Sequence, residues 1–353
     1  MSQRRIGDQG RSVTIGAPTP TLTPTLEMVA ALAGVSRSTV SRVINDSPKV
    51  TAEALAAVNA AIEQLGYVPN RAARTLASRR THSIALVIPE NTARFFADPY
   101  FASVVQGAAM RLATTDFTLT LLIASEIDPE KSRRYLQAGN VDGALILSHH
   151  SDDRSYVALS RNLPVVFGGR PAPYDDGPIP VYVDVDNTAS AQSVVELLIS
   201  AGRRRIATIA GPTNMTAGLD RLEGWHSALS AAGMPTDLVE HGDFTPASGA
   251  LAMERLLDRG EPFDGLFAAS AQMADGALSV LKARGISVPR DLGLVTFDDD
   301  YFAQRANPPL STVDQEESEV GRTMSELLMR LINGEDVPRI TMMPTRLMRR
   351  GSE

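Results

Sequence analysis

The sequence predicts an α/β protein in which a small helical module precedes a large body built on parallel β-sheets. From Ser83 onward, short apolar runs alternate with amphipathic segments, the pattern of strands buried in a parallel sheet with helices on both faces. Charge is also unevenly distributed along the chain. Residues 1–80 hold ten Lys/Arg and five Asp/Glu, a net charge of +5, so the rest of a chain whose total is −7 carries −12. A basic module joined to an acidic body is expected when only one end of a protein meets phosphate.

Composition excludes several classes of protein. With 353 residues, 43% hydrophobic and 21% charged, the chain is long enough for two or three domains of ordinary globular character. It has no cysteine, so disulfides and thiolate metal sites are excluded, and no apolar run approaches the roughly 18 residues of a membrane span. Residues 1–24 are rich in Ser, Thr, Pro and Gly without the apolar core of a secretory signal. We expect a disordered tail there and a cytoplasmic protein that has no membrane partner.

The sequence of the basic module predicts three short helices. In "TLEMVAALAGVSRSTVSRVIN", Thr25 and Ser36 are placed to cap two helices around a tight turn at Gly34. A third helix is predicted from Thr51 to Leu65, with Gly66 as its stop. The residues expected to form the small core are Met28, Val29, Leu32, Val35, Val40, Ile44, Leu55, Val58, Ile62 and Leu65.

The second helix has two different sides. Arg37, Ser38 and Arg42 fall on one side of a helical wheel, and Val40 and Ile44 fall on the other. Taken alone, such a polar side is more often merely solvated. A helix, a short turn with glycine and a second helix, however, form the helix-turn-helix pattern, so here we predict a DNA-reading surface.

The stretch from Thr25 to Thr81 resembles, without gaps, the headpiece of the lactose-repressor (LacI) family of bacterial transcription regulators. The resemblance implies that Arg37, Ser38 and Arg42 face the major groove, where arginine can pair with guanine and serine with either kind of base edge. It also implies that Thr25, Asn45 and Thr51 hold phosphates. The stretch "NRAARTLASRR" resembles the family's hinge helix, with Asn70, Ala73 and Leu76 at DNA and Leu76 wedged between base steps. A plain basic linker is the alternative.

In the body, eight apolar runs predict strands, which begin near residues 83, 117, 143, 163, 181, 204, 265 and 292. The segments between them include helical patterns at 102–113, 188–201, 221–232, 247–259 and 272–284. Ligands of open parallel sheets bind beyond the carboxyl ends of the strands. The residues that follow the predicted strands are therefore candidates: His149, His150, Gly168, Gly169, Arg170, Ser270 and Asp298.

The resemblance continues through the body in "VDGALILS", "VDVDNTASA", "RRIATIAGP", "RLEGW" and "NPPLSTVDQ". It implies a periplasmic-binding-protein-like body of two subdomains that close around a small carbohydrate. It independently points to Asp298 and adds Arg221, Phe244, Gln315, Tyr100 and Phe101. Carboxylate and guanidinium groups suit vicinal hydroxyls, and aromatic faces cover the C–H surface of a sugar.

Two positions depart from the family pattern. Relatives usually have Asn-Asp where this chain has Ser270-Ala271, and some have a sugar-binding Asp at Gly169. Both changes remove a polar contact and leave room for a longer ligand. The whole-chain pattern is similar to that of actinobacterial regulators that respond to cellobiose.

The predicted domains follow from these readings: a tail at 1–24, a helix-turn-helix headpiece at 25–69, a hinge helix or linker at 70–81 and an effector-binding and dimerisation body at 82–353. Within the body, we expect one subdomain at 82–185 plus 314–338 and the other at 186–313 plus 339–353.

Other chemistry has weak support in the sequence. The acidic run 298–300 suggests either a metal site or a solvated loop, and His149-His150 lacks a third ligand at useful spacing. "AGPTNMTAG" lacks the Gly-Lys-Ser/Thr ending of a phosphate loop, and no nucleophile motif is present. We therefore expect no enzyme, no metal and no cofactor.

The sequence predicts a repressor of carbohydrate-utilisation genes, a homodimer on double-stranded palindromic operator DNA that a small sugar controls. The alternatives are a sugar-binding protein without DNA function, a regulator with a non-sugar effector, and an enzyme on a doubly wound sheet.

Overall fold

The computed structural model describes residues 24–44, 47–68, 80–123, 128, 130–172 and 178–353. These residues belong to two compact units, one within residues 1–79 and the other within 80–353. Most of the predicted tail and hinge, together with Asn45, Asn70, Ala73 and Leu76, lie outside the described residues. The predictions for them remain predictions.

The N-terminal unit consists of the three expected helices, α1 (Leu26–Ala33), α2 (Arg37–Ile44) and α3 (Ala52–Leu65). The hydroxyls of Thr25 and Thr51 accept hydrogen bonds from the third backbone N–H after them, so both residues cap their helices, as predicted for Thr25. Gly34 and Gly66 end α1 and α3 at φ values of 66° and 60°, in the left-handed region that glycine enters without strain.

The core of this unit differs in part from the prediction. Its buried residues include Val29, Ala30, Val40, Val43, Val58, Ala61 and Tyr67. Met28, Leu32 and Leu55 were expected inside but are 39%, 46% and 44% exposed. In α1 the packed stripe is formed by Leu26, Val29, Ala30 and Ala33, and in α3 it begins only at Val58. Both stripes follow the i, i+3, i+4, i+7 spacing of one helix face. Met28 and Leu32 lie off this face of α1, whereas Leu55 lies one turn before the packed stripe of α3 begins.

The body contains two parallel sheets, as predicted. Its strands are β1 (Ser83–Ile88), β2 (Thr118–Ile123), β3 (Gly143–Leu147), β4 (Val165–Gly168), β5 (Val181–Val185), β6 (Ile206–Ala210), β7 (Val239–His241), β8 (Gly265–Ala268), β9 (Gly293–Thr296), β10 (Thr312–Asp314), β11 (Ile340–Met343) and β12 (Arg346–Met348). The six-stranded sheet has the order β11-β5-β4-β3-β1-β2, and the four-stranded sheet has the order β7-β6-β8-β9. A short antiparallel pair, β10 with β12, accompanies them.

Helices connect these strands. They are α4 (Thr92–Ala97), α5 (Pro99–Leu112), α6 (Glu130–Gln137), α7 (Ser155–Leu159), α8 (Asn187–Ser200), α9 (Thr216–Ala231), α10 (Pro246–Asp258), α11 (Ala271–Ala283), α12 (Tyr301–Arg305) and α13 (Glu317–Ile332). We call the six-stranded sheet with its helices the first lobe, and the four-stranded sheet with its helices the second lobe.

Both faces of the first-lobe sheet are covered. Ile84, Leu86 and Ile88 of β1 pack in one cluster with residues of α5 and α13. The alternate residues Ala85 and Val87 pack in another cluster with residues of α6 and α7. Because neighbouring residues of a strand point to opposite faces, two separate clusters require helices on both sides of the sheet.

The chain passes between the lobes three times within residues 178–353: after β5, after β10 and after β11. The last passage corrects one expectation. Residues 340–343 were assigned to the second subdomain, yet β11 pairs in parallel with β5 at the edge of the six-stranded sheet. These four residues belong to the first lobe, and the chain returns to the second lobe only with β12.

Candidate functional site

A cavity of about 770 Å³, partly open to solvent, lies between the two lobes of the body at the carboxyl ends of their strands. This is the position expected for a ligand of open parallel sheets. The structure brings all eight candidate effector-binding residues to its walls: Tyr100, Phe101, His149, Arg221, Phe244, Ser270, Asp298 and Gln315. We call this space the effector cavity.

Arg221 and Asp298 form the charged centre of the cavity. Arg221 Nη1 lies 3.6 Å from Asp298 Oδ2, and both side chains are largely buried. The guanidinium is held on three sides: Nε donates to Asn187 Oδ1 at 2.9 Å, Nη1 donates to the Ala269 carbonyl at 2.8 Å, and the Phe297 ring centroid lies 3.6 Å from the guanidinium carbon. Such a fixed cation offers N–H groups at defined positions.

Asp298 is held as firmly as its partner. Gln315 Nε2 donates to its Oδ1 at 2.5 Å, and its backbone has a φ of 74°. A non-glycine residue in the left-handed region is strained, and such strain gathers at functional sites. Burial raises the pKa of Asp298, and the positive charge of Arg221 opposes that rise. A ligand with hydroxyl donors would satisfy the acceptors of this carboxylate.

Aromatic rings line other parts of the cavity. Phe101 is buried, and its ring meets that of Tyr100 edge to face with centroids 5.7 Å apart. Phe244, with a φ of 68°, has its ring centroid 5.8 Å from the guanidinium carbon of Arg221. Burial raises the pKa of the Tyr100 hydroxyl, so that group stays neutral. These rings give the cavity apolar faces beside its charged centre.

The two adjacent histidines have different surroundings. His149 lines the cavity, where its Nε2 accepts a hydrogen bond from Ala172 N at 3.3 Å, and burial lowers its pKa to about 4. His150 instead pairs with Glu90 at 3.0 Å, and this hydrogen bond raises its pKa. Among the described residues, no group of three or more His, Cys, Asp or Glu side chains is arranged to hold a metal ion.

The acidic run 298–300 is not a solvated loop. Asp299 makes an ion pair with Arg350 at 2.6 Å and has a side chain only 9% exposed. Asp300 caps α12 by accepting from the backbone N–H of Phe302 at 2.8 Å. Of the three carboxyls, Asp298 alone lines the effector cavity.

Several polar residues of the cavity were missed by the sequence reading: Arg94, Asp98, Ser148, Asp184, Asn187, Thr216 and Gln272. Asp184 accepts hydrogen bonds from Arg170 N at 2.7 Å, Val185 N at 2.8 Å and Asn187 Nδ2 at 3.0 Å. Asn187 in turn orients Arg221, so Asp184 supports the charged centre. The sequence could have indicated Asp184 as a site residue, because it places a carboxylate inside the otherwise apolar strand "VYVDV".

In the N-terminal unit, Arg37, Ser38 and Arg42 are exposed on α2, whereas Val40 and Val43 of the same helix are buried. Arg37 Nε lies 3.2 Å from Glu27 Oε1, and the two side chains are 74% and 60% exposed. Ser38 shares a hydrogen bond with Ser36, whose hydroxyl also accepts from Thr39 N at the start of α2. The helix therefore presents two guanidinium groups and a hydroxyl outward.

Two family descriptions match the chain. Residues 25–70 match "Bacterial regulatory proteins, lacI family", and residues 195–353 match "Periplasmic binding protein-like domain". Within the described residues, no helix has the length and apolar character needed to cross a membrane.

Relatives match over almost the whole chain. The transcriptional regulator CelR of Thermobifida fusca is 47% identical over 334 residues, which is 93% of this chain and 98% of that protein. The transcriptional repressor CytR of Escherichia coli K12 is 31% identical over 319 residues, 89% of this chain and 91% of that protein.

Solved structures of transcriptional regulators are also similar to this chain. A CelR–cellobiose complex has 45% identity and a TM-score of 0.73, covering 94% of this chain and 100% of that one. A Lac repressor dimer bound to operator and an anti-inducer has 27% identity and a TM-score of 0.82, covering 94% and 99%. The headpiece, the two-lobed body and these matches lead to one conclusion: the chain belongs to the lacI family of bacterial regulatory proteins and is a DNA-binding transcriptional regulator.

Proposed function

We propose that this regulator represses carbohydrate-utilisation genes and that cellobiose, or a related β-linked oligosaccharide, binds in the effector cavity and releases the protein from DNA. The observation that carries the proposal is the buried Arg221–Asp298 pair beside aromatic walls. A fixed guanidinium and a carboxylate side by side match the vicinal hydroxyls of a pyranose, and rings match its C–H faces. The relative CelR was solved with cellobiose, which supports the same class of ligand.

The cavity is open beside Gly169. A Cβ built on Gly169 would meet no atom within 4 Å, so the space that a side chain would fill there is open. At the second departure from the family pattern, Ser270 uses its hydroxyl to cap α11, accepting from Met273 N at 3.3 Å. Open space beside the charged centre favours a disaccharide or longer ligand over a monosaccharide.

The DNA surface is α2, in our proposal. Arg37 and Arg42 would read base edges in the major groove, Ser38 would add a hydroxyl contact, and Thr25 and Thr51 would meet phosphates. One headpiece covers only a half-site, so we propose a homodimer on a palindromic operator. The similar Lac repressor was solved as a dimer bound to operator. A regulator that must reach chromosomal DNA works in the cytoplasm.

Calorimetry tests the effector assignment. We expect cellobiose to bind the full chain and Asp298→Asn to weaken binding by about 10- to 100-fold, because a hydrogen bond to a charged group contributes about 1.5–3 kcal/mol. Asp258→Asn is the matched control, since Asp258 belongs to the same lobe and its side chain is 68% exposed. Absence of heat with cellobiose and other disaccharides, together with binding of a nucleobase or phosphosugar, would contradict the proposal and favour a non-sugar effector.

A further inference from the structure

A polar cluster lies behind one wall of the effector cavity, just beyond the end of β1. Its centre is Glu90, a buried carboxylate that accepts hydrogen bonds from Ser148 Oγ at 2.6 Å and from His150 Nε2 at 3.0 Å. The third partner of Glu90 is Arg94 on α4, whose Nη1 lies 3.3 Å from Glu90 Oε2. Ser148 and Arg94 line the cavity, but Glu90 and His150 do not. The cluster therefore connects cavity-lining side chains to two ionisable groups behind them.

Arg94 has more hydrogen-bond donors than Glu90 uses. Its guanidinium carries five N–H groups, yet among the described residues the ion pair with Glu90 is its one polar side-chain contact within bonding distance. The separation of 3.3 Å exceeds the roughly 2.7–2.9 Å of a close charge-assisted hydrogen bond. The side chain is only 16% exposed, so solvent reaches few of the remaining donors. A ligand that brings acceptors to this wall would satisfy them.

We propose that Arg94 is a further effector-binding cation, which donates to a sugar hydroxyl, and that His150 is its positioning residue. Protonated His150 neutralises Glu90 when the guanidinium turns to the ligand. Glu90 thus pairs chiefly with Arg94 in the free protein and chiefly with His150 in the complex. His150 does not touch the ligand and acts only through Glu90. The proposal rests on the sugar effector proposed above.

Groups from both lobes set the protonation of His150. The hydrogen bond to Glu90 raises the pKa of His150 above its ordinary value of 6.5, and burial opposes that rise. The negative charge of Glu90 and the Asn214 side chain of the second lobe support the rise, whereas the positive charge of Arg94 lowers the same pKa. His149, the neighbour in sequence, has its pKa lowered to about 4 by burial and stays neutral.

Three further ionisable groups line the same surface pocket as His150: Asp152, Asp153 and Tyr156. The two carboxylates are exposed and, being negative, favour the charged form of His150. Burial raises the pKa of Tyr156 to about 12, so its hydroxyl stays neutral. None of the three lines the effector cavity, so a bound sugar leaves their influence unchanged. Among these charges, only that of Arg94 moves on binding.

Sugar binding should therefore take up protons. When Arg94 turns to the ligand, its positive charge acts less strongly on His150, and the pKa of His150 rises further above 6.5. A group whose pKa is higher in the complex than in the free protein favours the complex in its protonated form. This contribution to the affinity is constant at pH values well below 6.5. It is lost as the pH rises through the pKa of the free and then of the bound state.

Calorimetry of cellobiose binding to the full chain between pH 6 and pH 9 tests the proposal, in pairs of buffers that differ in ionisation enthalpy. For the wild type, we expect proton uptake and an affinity about three- to tenfold lower at pH 9 than at pH 6. His150→Gln keeps an N–H donor for Glu90 but cannot ionise. It should lose this proton uptake and this pH dependence, and bind cellobiose at pH 6 as weakly as the wild type binds it at pH 9.

Arg94→Gln tests the cation itself. It should bind cellobiose about tenfold more weakly at pH 6, because it loses a charged donor. It should also lose the proton uptake, since no charge then moves relative to His150. His226→Gln changes an exposed histidine of α9 and should match the wild type at every pH. Burial raises the pKa of Asp300 and of Glu317 to about 7, but both carboxyls titrate in all four proteins, so comparison with the wild type isolates His150.

The results separate the possible failures. Equal proton uptake by the wild type and His150→Gln would overturn the role of His150, and wild-type affinity in Arg94→Gln would overturn that of Arg94. Cellobiose would remain the effector in both cases. If thermal unfolding showed that His150→Gln does not fold, wild-type proton uptake by Arg94→Gln would overturn the proposal, and loss of that uptake would support it. No binding of cellobiose at any pH would overturn the effector assignment and this proposal together.

Discussion

At the scale of single residues, Arg37 and Arg42 differ in how DNA would reach them. Arg37 is paired with Glu27 at 3.2 Å in the protein alone, so a base or phosphate must displace that carboxylate. Both members of the pair are mostly exposed, and exposed ion pairs contribute little stability. Replacing the Glu27 carboxylate by a DNA group therefore costs little free energy. Ion pairing with Glu27 therefore orients Arg37 without preventing it from binding DNA.

We predict that Arg42→Ala and Arg37→Ala each remove about 1–3 kcal/mol of discrimination between the preferred operator and unrelated DNA, since each loses one bidentate base contact. Fluorescence anisotropy with both DNAs at physiological salt measures this difference. Lys49→Ala is the control, because it removes an exposed cation of the same unit outside α2. It should weaken binding to both DNAs equally. Unchanged discrimination in Arg42→Ala would refute the recognition-helix assignment.

The residues of the effector cavity that the sequence revealed are those that follow strands or carry a family motif. Ser270 and Asp298 lie two residues beyond the ends of β8 and β9, and strand ends of a parallel sheet share one edge, so we could predict that they meet. Asp98 and Gln272 do not directly follow strands. Both line the cavity because the two lobes close on each other, which no local pattern in the sequence expresses.

At the scale of elements, the first lobe is held together by two helices that approach very closely. A Cβ on Gly107 of α5 would lie 1.8 Å from the Ser318 carbonyl oxygen, and one on Gly321 of α13 would lie 2.1 Å from the Val104 carbonyl oxygen. The two glycines thus let each helix meet the backbone of the other. Because the obstructing atoms are backbone, neither helix can move aside locally.

We predict that Gly321→Ala destabilises the body by about 1–3 kcal/mol or more, the cost of overpacking a tight contact. Thermal unfolding should show a lower Tm for the full chain. Ala109→Gly, at an exposed position of α5, is the matched control and should cost only about 0.5–1 kcal/mol through helix propensity. Equal Tm values for Gly321→Ala and the wild type would mean that the helices do not pack this closely.

The strands missed from the sequence are short or lie at edges. β7, β10 and β12 have three residues each, and β11 lies at the edge of the six-stranded sheet with alternating exposed residues. The long buried strands and helices were predictable because burial on both faces produces continuous apolar runs. Edge strands take their position from pairing partners far along the chain, so β11 was assigned to the wrong lobe.

At the scale of the whole molecule, the two lobes of the body contact each other directly. Arg170 of the first lobe makes an ion pair with Asp220 of the second at 2.6 Å, and Thr216 donates to the Arg170 carbonyl at 2.6 Å. Elsewhere the backbone N–H of Ser151 donates to the Asn214 carbonyl at 2.9 Å. Within residues 178–353, three chain passages connect the lobes, so a ligand that changes how they close acts on the body as a unit.

Our central claim is that occupation of the effector cavity and binding of operator DNA oppose each other. A repressor of genes that use a sugar must leave DNA when that sugar is present. Linkage then requires that cellobiose bind more weakly to the DNA-bound protein, by the same factor as it weakens DNA binding. Couplings of this kind typically correspond to about 5- to 150-fold.

The most direct measurement is the affinity of the full chain for a palindromic fragment that the protein itself selects from random DNA, with and without saturating cellobiose. We predict a loss of affinity of at least about fivefold for the wild type, and no loss for Asp298→Asn at a cellobiose concentration too low to occupy the variant. Equal DNA affinity of the wild type with and without bound cellobiose would contradict the claim.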